Sequence, residues 1–262
     1  MLLTLDVGNT NIAIGIFNGE DLVGDFRMMS RTERTADEMA MTVLDFLHSQ
    51  SIDAKDIQDV VISSVVPPIG EKLGELFQKY FSLEPLYVNY KAETGIKILA
   101  DNPREVGADR IVNVTAGHAL YKRSCIIIDF GTATTFDYVT ENGEFQYTVI
   151  MPGLEISARA LSGKTAKLPQ VEISKPASIL ASNTVDGMQA GIVYGYIGAV
   201  EYTISQMKKE LKDDPYVVAT GGLGRVIAEE SPLIDLYNPH IAYEGMKVIY
   251  KNSKDIKEDL PA

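Results

Sequence analysis

The chain has 262 residues, 45% of them hydrophobic and 23% charged, with a formal net charge of −12 and a single cysteine. That length accommodates one large domain or two small ones around a full core. No apolar run approaches the roughly 20 residues of a membrane span, the start MLLTLDVGN lacks a secretory pattern, and the acidic balance repels phosphate backbones; a cytoplasmic protein with no membrane or nucleic-acid partner is expected.

The first elements in chain order read as three strands in series, Leu2 to Val7, Ile12 to Phe17 and Leu22 to Met28, the last two joined at the turn signal Asn18-Gly19-Glu20. Met39, Val43, Phe46 and Leu47 then recur at helical spacing, as do Leu73, Leu76, Phe77 and Tyr80. Between them DVVISSVV (Asp59 to Val66) reads as a buried strand. Strands alternating with helices favour parallel pairing in the middle of the sheet. The stretch DNPREVGADRIVN crowds Asp101, Arg104, Glu105, Asp109 and Arg110 into a turn-rich loop before a helix starting near Arg110. Asp109 in isolation reads as the cap of that helix; a substrate-facing loop is the alternative.

A second half is expected to begin near Tyr121 to Ser124 and to repeat the first. IIIDFGTAT (Ile126 to Thr134) carries aspartate and glycine where LTLDVGNTN carries them: Asp6, Gly8 and Thr10 to Ile12 face Asp129, Gly131 and Ala133 to Thr135 at an offset of 123 positions. Three strands follow again, Ile126 to Phe130, Thr134 to Val139 and Phe145 to Ile150, with Asn142-Gly143-Glu144 matching the earlier turn. Cys125, ahead of an isoleucine run, reads as a packed core thiol. SGKT (Ser162 to Thr165) imitates the end of a P-loop but has Ala158 where the motif requires glycine.

A long helix is expected from about Val185 to Leu211, with Gly191, Gly195 and Gly198 on roughly one face. Such a face meets another backbone closely, within the chain or across a subunit interface. YVVATGGLG (Tyr216 to Gly224) reads as a buried strand running into glycines. His48, His118 and His240 show no ligand spacing, so no zinc site is expected. The polar tail KNSKDIKEDLPA reads as a solvated end.

A hairpin turn of glycine, asparagine and threonine presents backbone N–H groups and small hydroxyls, and glycine lets a phosphate approach the main chain. Aspartate beside a polyphosphate repels it unless a cation intervenes, so Asp6 and Asp129 read as direct or water-mediated ligands of Mg²⁺ or another hard cation. A single Asp-x-Gly is adequately explained as turn chemistry. Two copies at a fixed offset, with the glycines of VVATGGLG as a third turn, favour a nucleotide site.

DVGNTN, GADRIVN, DFGTATTFD, MPG and the N-T-x-x-G of Asn183 to Gly187 resemble the type III pantothenate kinases, of the superfamily that holds acetate kinase, sugar kinases, actin and heat-shock chaperone ATPases. The resemblance implies an α/β fold of duplicated ribonuclease H-like (actin-like ATPase) lobes, 1–122 and 123–262, with a nucleotide cleft between them. It implies a homodimer that phosphorylates pantothenate with ATP as the first step of coenzyme A synthesis. By that resemblance Asp6, Val7, Gly8, Asn9, Thr10, Asn11, Ile12 and Ala13 bind ATP, with Asp6 near Mg²⁺. Thr132 contacts the phosphates, and Asp129 binds a monovalent cation, K⁺ or NH₄⁺. Gly107, Ala108, Asp109 and Arg110 line the pantothenate pocket, with Asp109 the base, and Thr184 contacts pantothenate across the dimer interface. Two positions depart from the family pattern: Ala100 stands before DNP in place of tyrosine, and Ile111 follows GADR in place of tryptophan, so the pocket wall is expected to differ.

Phosphoryl transfer asks mainly for alignment and charge neutralisation. Aspartate, with an ordinary pKa of about 3.9, is a weak base, so the expected contribution of Asp109 is orientation and late proton acceptance. Two rivals share these motifs: another small-molecule kinase of the same fold, and a nucleotide-binding regulatory protein acting in transcription.

Overall fold

The structure, a computed structural model, describes residues 1–211 and 213–258. By their contacts these form two compact units, one of Met1–Leu120 together with the C-terminal helix that starts at Ile241, the other of Tyr121–His240.

In the first unit β1 (Leu2–Val7), β2 (Asn11–Asn18) and β3 (Asp21–Met29) form an antiparallel meander, followed by α1 (Ala36–Ser49), β4 (Asp59–Ser64), α2 (Pro67–Phe81), the two-residue strands β5 (Leu86–Tyr87) and β6 (Lys97–Ile98), and α3 (Ala108–Tyr121). The sheet runs β3-β2-β1-β4-β5, with β4 parallel to β1 as the alternation of strands and helices requires. Nearly every side chain of β1 is buried because helices cover both faces. Leu3, Leu5 and Val7 pack with Met39, Val43 and Leu47 of α1 and Leu73, Leu76 and Phe77 of α2. On the opposite face Leu2, Phe17 and Val61 pack with Ile111 and Val112 of α3 and with Tyr243, Met246 and Ile249. Thr35 starts α1 through a capping box: its hydroxyl accepts from Glu38 N, and the Glu38 carboxylate accepts from Thr35 N.

The second unit repeats this order. β7 (Cys125–Phe130), β8 (Ala133–Val139) and β9 (Glu144–Pro152) form a meander; α4 (Leu154–Gly163), α5 (Thr184–Leu211), β10 (Tyr216–Thr220), α6 (Gly224–Ala228) and β11 (Leu236–Tyr237) follow. Its strands lie in the order β11-β10-β7-β8-β9, and β10 runs parallel to β7. The duplication extends to an irregularity: a bulge falls between Ile16 and Phe17 on β2 and between Tyr138 and Val139 on β8, each at the residue paired with the first residue of the leading strand.

One expectation changes. The division into 1–122 and 123–262 keeps the C-terminus with the second half, whereas α7 (Ile241–Glu258) lies on β1 and β4 of the first unit. The tail is, through residue 258, part of that helix, and Lys251, Lys254 and Asp255 are exposed on it as a solvated end requires. Its apolar stripe supplies Tyr243, Met246 and Ile249 to the core. Lys251 pairs with Glu20, Lys254 lies 3.0 Å from Asp59, and the Tyr250 hydroxyl donates to the same carboxylate at 2.6 Å. Residues 259–262 of that tail lie outside the described residues. No helix among the described residues is long and apolar enough to cross a membrane.

Candidate active site

In the first unit Val7 pairs with Ile12, leaving Gly8 to Asn11 as the turn. Gly8 N donates to the Asn11 carbonyl at 3.0 Å, and a Cβ at Gly8 would lie 3.3 Å from that oxygen. Ser30 fastens the turn from outside, its hydroxyl donating to Gly8 O at 2.6 Å and its amide to Thr10 O at 2.9 Å. Asn9, Thr10 and Asn11 are exposed, Asp6 and Ala13 are half-buried, and Val7 and Ile12 are core residues. Asp6 is thus a carboxylate at the end of a buried strand, with the Ser63 hydroxyl donating to its Oδ1 at 3.1 Å from β4.

The same unit brings the GADR segment beside this turn. Val65 N donates to Val7 O at 3.1 Å, and Val65 Cγ1 lies 3.5 Å from where a Cβ of Gly107 would stand. A Cβ at Gly107 would meet the Asp109 carboxylate and force that side chain to turn away. Ala108 is buried, while Asp109 and Arg110 are half-buried in the first turn of α3. Asp109 Oδ1 accepts from Arg110 N at 2.8 Å, which orients the carboxylate. Because α3 begins at Ala108, Asp109 lies inside its first turn and not at the cap position that a helix starting at Arg110 would give it. Upstream, Asn102 caps a short turn at Pro103–Glu105 and bonds the Glu105 carboxylate at 2.6 Å, so that acid serves the loop. Ile111 is fully buried and packs in the core with Leu2, Phe17 and Val61.

In the second unit Phe130 pairs with Thr134, leaving Gly131, Thr132 and Ala133, all exposed. This turn is one residue shorter than its counterpart, so Ile12 matches Thr134 and not Thr135 as the constant offset implied. Later elements close on it. Gly153 N donates to Thr132 O at 3.1 Å at the start of α4, and a side chain at Gly153 would collide with the carbonyls of Gly131 and Thr132. Gly221, at φ +91° after β10, is held by the Tyr237 hydroxyl donating to its carbonyl at 2.8 Å. A Cβ on Gly221 would stand 2.6 Å from Phe130 O and 2.8 Å from Asp129 Oδ1. The third glycine turn therefore lies against Asp129. Without a side chain Gly221 packs against a carboxylate and a carbonyl oxygen, donors of the kind K⁺ or NH₄⁺ takes. At Asp6 the half-buried carboxylate is an oxygen donor of the kind a hard divalent cation takes.

Thr184 is not on this turn. It opens α5, exposed, in an N-cap made by Asn183, whose side chain accepts from Asp186 N at 2.9 Å and donates to the Asp186 carboxylate at 2.7 Å. It lies on a groove of about 570 Å³ shared with Leu161, Gly187, Gly191, Gly195 and Tyr196. Nothing lies within 4 Å of where a Cβ of Gly191, Gly195 or Gly198 would stand, so close packing of that face within the described chain is not found. Tyr196 joins groove to turn, with its hydroxyl 2.6 Å from Thr134 Oγ1 and 2.9 Å from Pro152 O; burial pushes its phenol pKa up. Cys125 is fully buried, and desolvation pushes its thiol up to about 12, an inert packed group as expected. Ser63 and Tyr196 escaped the sequence reading. A hydroxyl inside the otherwise apolar strand at Asp59 to Ser64 was the available signal for Ser63; for Tyr196 there was none.

The family profile described as type III pantothenate kinase matches residues 2–206. A type III pantothenate kinase of Geobacter sulfurreducens is 48% identical over 255 residues, covering 97% of this chain and all of its own. Among solved structures, a Campylobacter jejuni protein described as a Baf family transcriptional activator superposes with a TM-score of 0.60 at 18% identity, covering 97% of this chain and 99% of its own. Component A of the (R)-2-hydroxyglutaryl-CoA dehydratase of Acidaminococcus fermentans superposes at 0.55 and 14%, covering 97% and 98%. At such identities these two likenesses speak for the fold alone: duplicated ribonuclease H-like units of the actin-like ATPase class.

Proposed function

The chain belongs to the type III pantothenate kinase family and phosphorylates pantothenate with ATP in coenzyme A biosynthesis; on that premise we propose how its residues divide the work. Asp6 to Ala13 hold ATP, with Asp6 taking Mg²⁺. Thr132 contacts the phosphates, and Asp129 takes K⁺ or NH₄⁺. Gly107 to Arg110 hold pantothenate, and Asp109 accepts the proton of its primary hydroxyl. When bound, the two cations neutralise charge on the phosphates.

The observation that carries this division is the Val65 bridge, which touches both Val7 at the end of the Asp6 strand and Gly107 ahead of Asp109. It supports reading the Asp109 carboxylate as the acceptor group and the Asp6 turn as its phosphate partner, both on elements buried in one core, as positioning catalysis requires. Asp109 then orients the hydroxyl and receives its proton late in an in-line transfer. The open glycine face of α5, with Thr184 at its end, supports a homodimer in which Thr184 reaches pantothenate of the other protomer. One inert cysteine and an acidic surface fit a cytoplasmic setting.

A coupled assay of ADP release tests the reaction. Release that depends on pantothenate is the expected result; ATP binding without pantothenate-dependent release would favour a regulatory role.

A further inference from the structure

We infer that the hydroxyl of Thr135 is a ligand of the monovalent cation at Asp129, an inference that rests on the assignment of that cation above. Thr135 on β8 is the direct cross-strand partner of Asp129 on β7. In an antiparallel ladder such partners point to the same face, with Cβ atoms about 4.5–5.5 Å apart, a span one ion can bridge. Thr135 Oγ1 is buried and makes no hydrogen bond. A buried hydroxyl without a partner costs about 1–3 kcal/mol, so its retention beside a carboxylate calls for a ligand.

The surroundings supply the rest of the donor set. Asp129 Oδ1 and Phe130 O lie on one side of Gly221, which packs against both because it carries no Cβ. The β-branched threonine holds few χ1 rotamers, so its oxygen is fixed largely by the strand. The first unit differs at this position: the residue opposite Asp6 is Ala13, and the hydroxyl serving that carboxylate comes from Ser63 on the other neighbouring strand. The extra oxygen is therefore found where the larger, softer-hydrated cation is assigned, and is missing where Mg²⁺ is assigned.

The test compares wild type, Thr135→Val, Thr135→Ser and Asp129→Asn by thermal unfolding without nucleotide, in KCl, NH₄Cl and NaCl at equal ionic strength. Wild type and Thr135→Ser are expected to melt higher in K⁺ or NH₄⁺ than in Na⁺. Thr135→Val is expected to lose that gain while melting in Na⁺ at or above wild type, since it removes an unpaired buried hydroxyl at constant shape. In the kinase assay its half-activating K⁺ concentration should rise about tenfold or more. A K⁺-dependent gain kept by Thr135→Val but lost by Asp129→Asn overturns the role of Thr135 alone. No salt difference in wild type overturns the cation assignment and this inference with it.

Discussion

The turn after Asp6 has four residues and is fastened by Ser30 from the strand edge; the turn after Asp129 has three and is closed by Gly153 and Gly221 from elements that come later in the chain. Aspartate, glycine and the strand bulge recur because register imposes them: shifting any one would move a whole strand's side chains to the other face. What packs over each turn does not recur, since it is supplied by different helices and loops. Duplication has preserved a scaffold for two carboxylates while letting their surroundings diverge.

Four experiments would break or sharpen that contrast. Asp109→Asn should lower kcat by about 10²–10⁴-fold with a much smaller change in KM for ATP, and no concentration of K⁺ should restore it. Asp129→Asn should instead show its main defect in the K⁺ or NH₄⁺ requirement. Equal behaviour of the two variants in steady-state kinetics across a KCl series would erase the division of roles.

Met246→Ala should cost about 2–5 kcal/mol in urea unfolding, because this side chain is fully buried between α7 and the first unit's sheet. Hydrogen exchange should place the loss in β1 and β4 and spare β7 and β10; the reverse pattern would return α7 to the second unit.

The two turns can be compared through one glycine that serves each. Gly153→Ala drives a Cβ into the Gly131 and Thr132 carbonyls and should cost about 1–3 kcal/mol, with a raised KM for ATP. Gly8→Ala meets one carbonyl at 3.3 Å and should cost less in thermal unfolding. A larger loss for Gly8→Ala would mean that the first turn is the more tightly built.

The smallest effect lies at alkaline pH. Burial raises the Cys125 thiol from 9.0 to about 12, so the unfolded chain ionises first. The stability this thiol contributes is complete below pH 9.0 and falls as pH climbs toward 12. Cys125→Ala should therefore flatten the decline of Tm above pH 9, relative to wild type, and a native thiol reagent should label Cys125 only on unfolding; rapid labelling of the folded protein would contradict the burial.

Much of this was legible from residues alone. Alternating and continuous apolar runs located β1 to β3 and β7 to β9, and helical spacing located α1, α2 and α5, because each buries a periodic face. The two-residue strands β5 and β11 left no period to detect. The docking of the C-terminal helix left no signal either: Lys251 is paired with Glu20, 231 positions away, and the Tyr250 hydroxyl bonds Asp59, 191 positions away. Contacts of that separation have no local signature.

By itself the sequence determined the paired turns, their aspartates and glycines, and the family, since all of these are written in contiguous residues and in the spacing between copies. Only tertiary structure decided that α7 belongs to the first unit, that Val65 joins the Asp6 strand to the GADR loop, and that Gly153, Gly221 and Thr135 surround the second turn. Those relations arise where separate strands and helices meet, and close contact across a core depends on register and packing, which one-dimensional spacing does not carry.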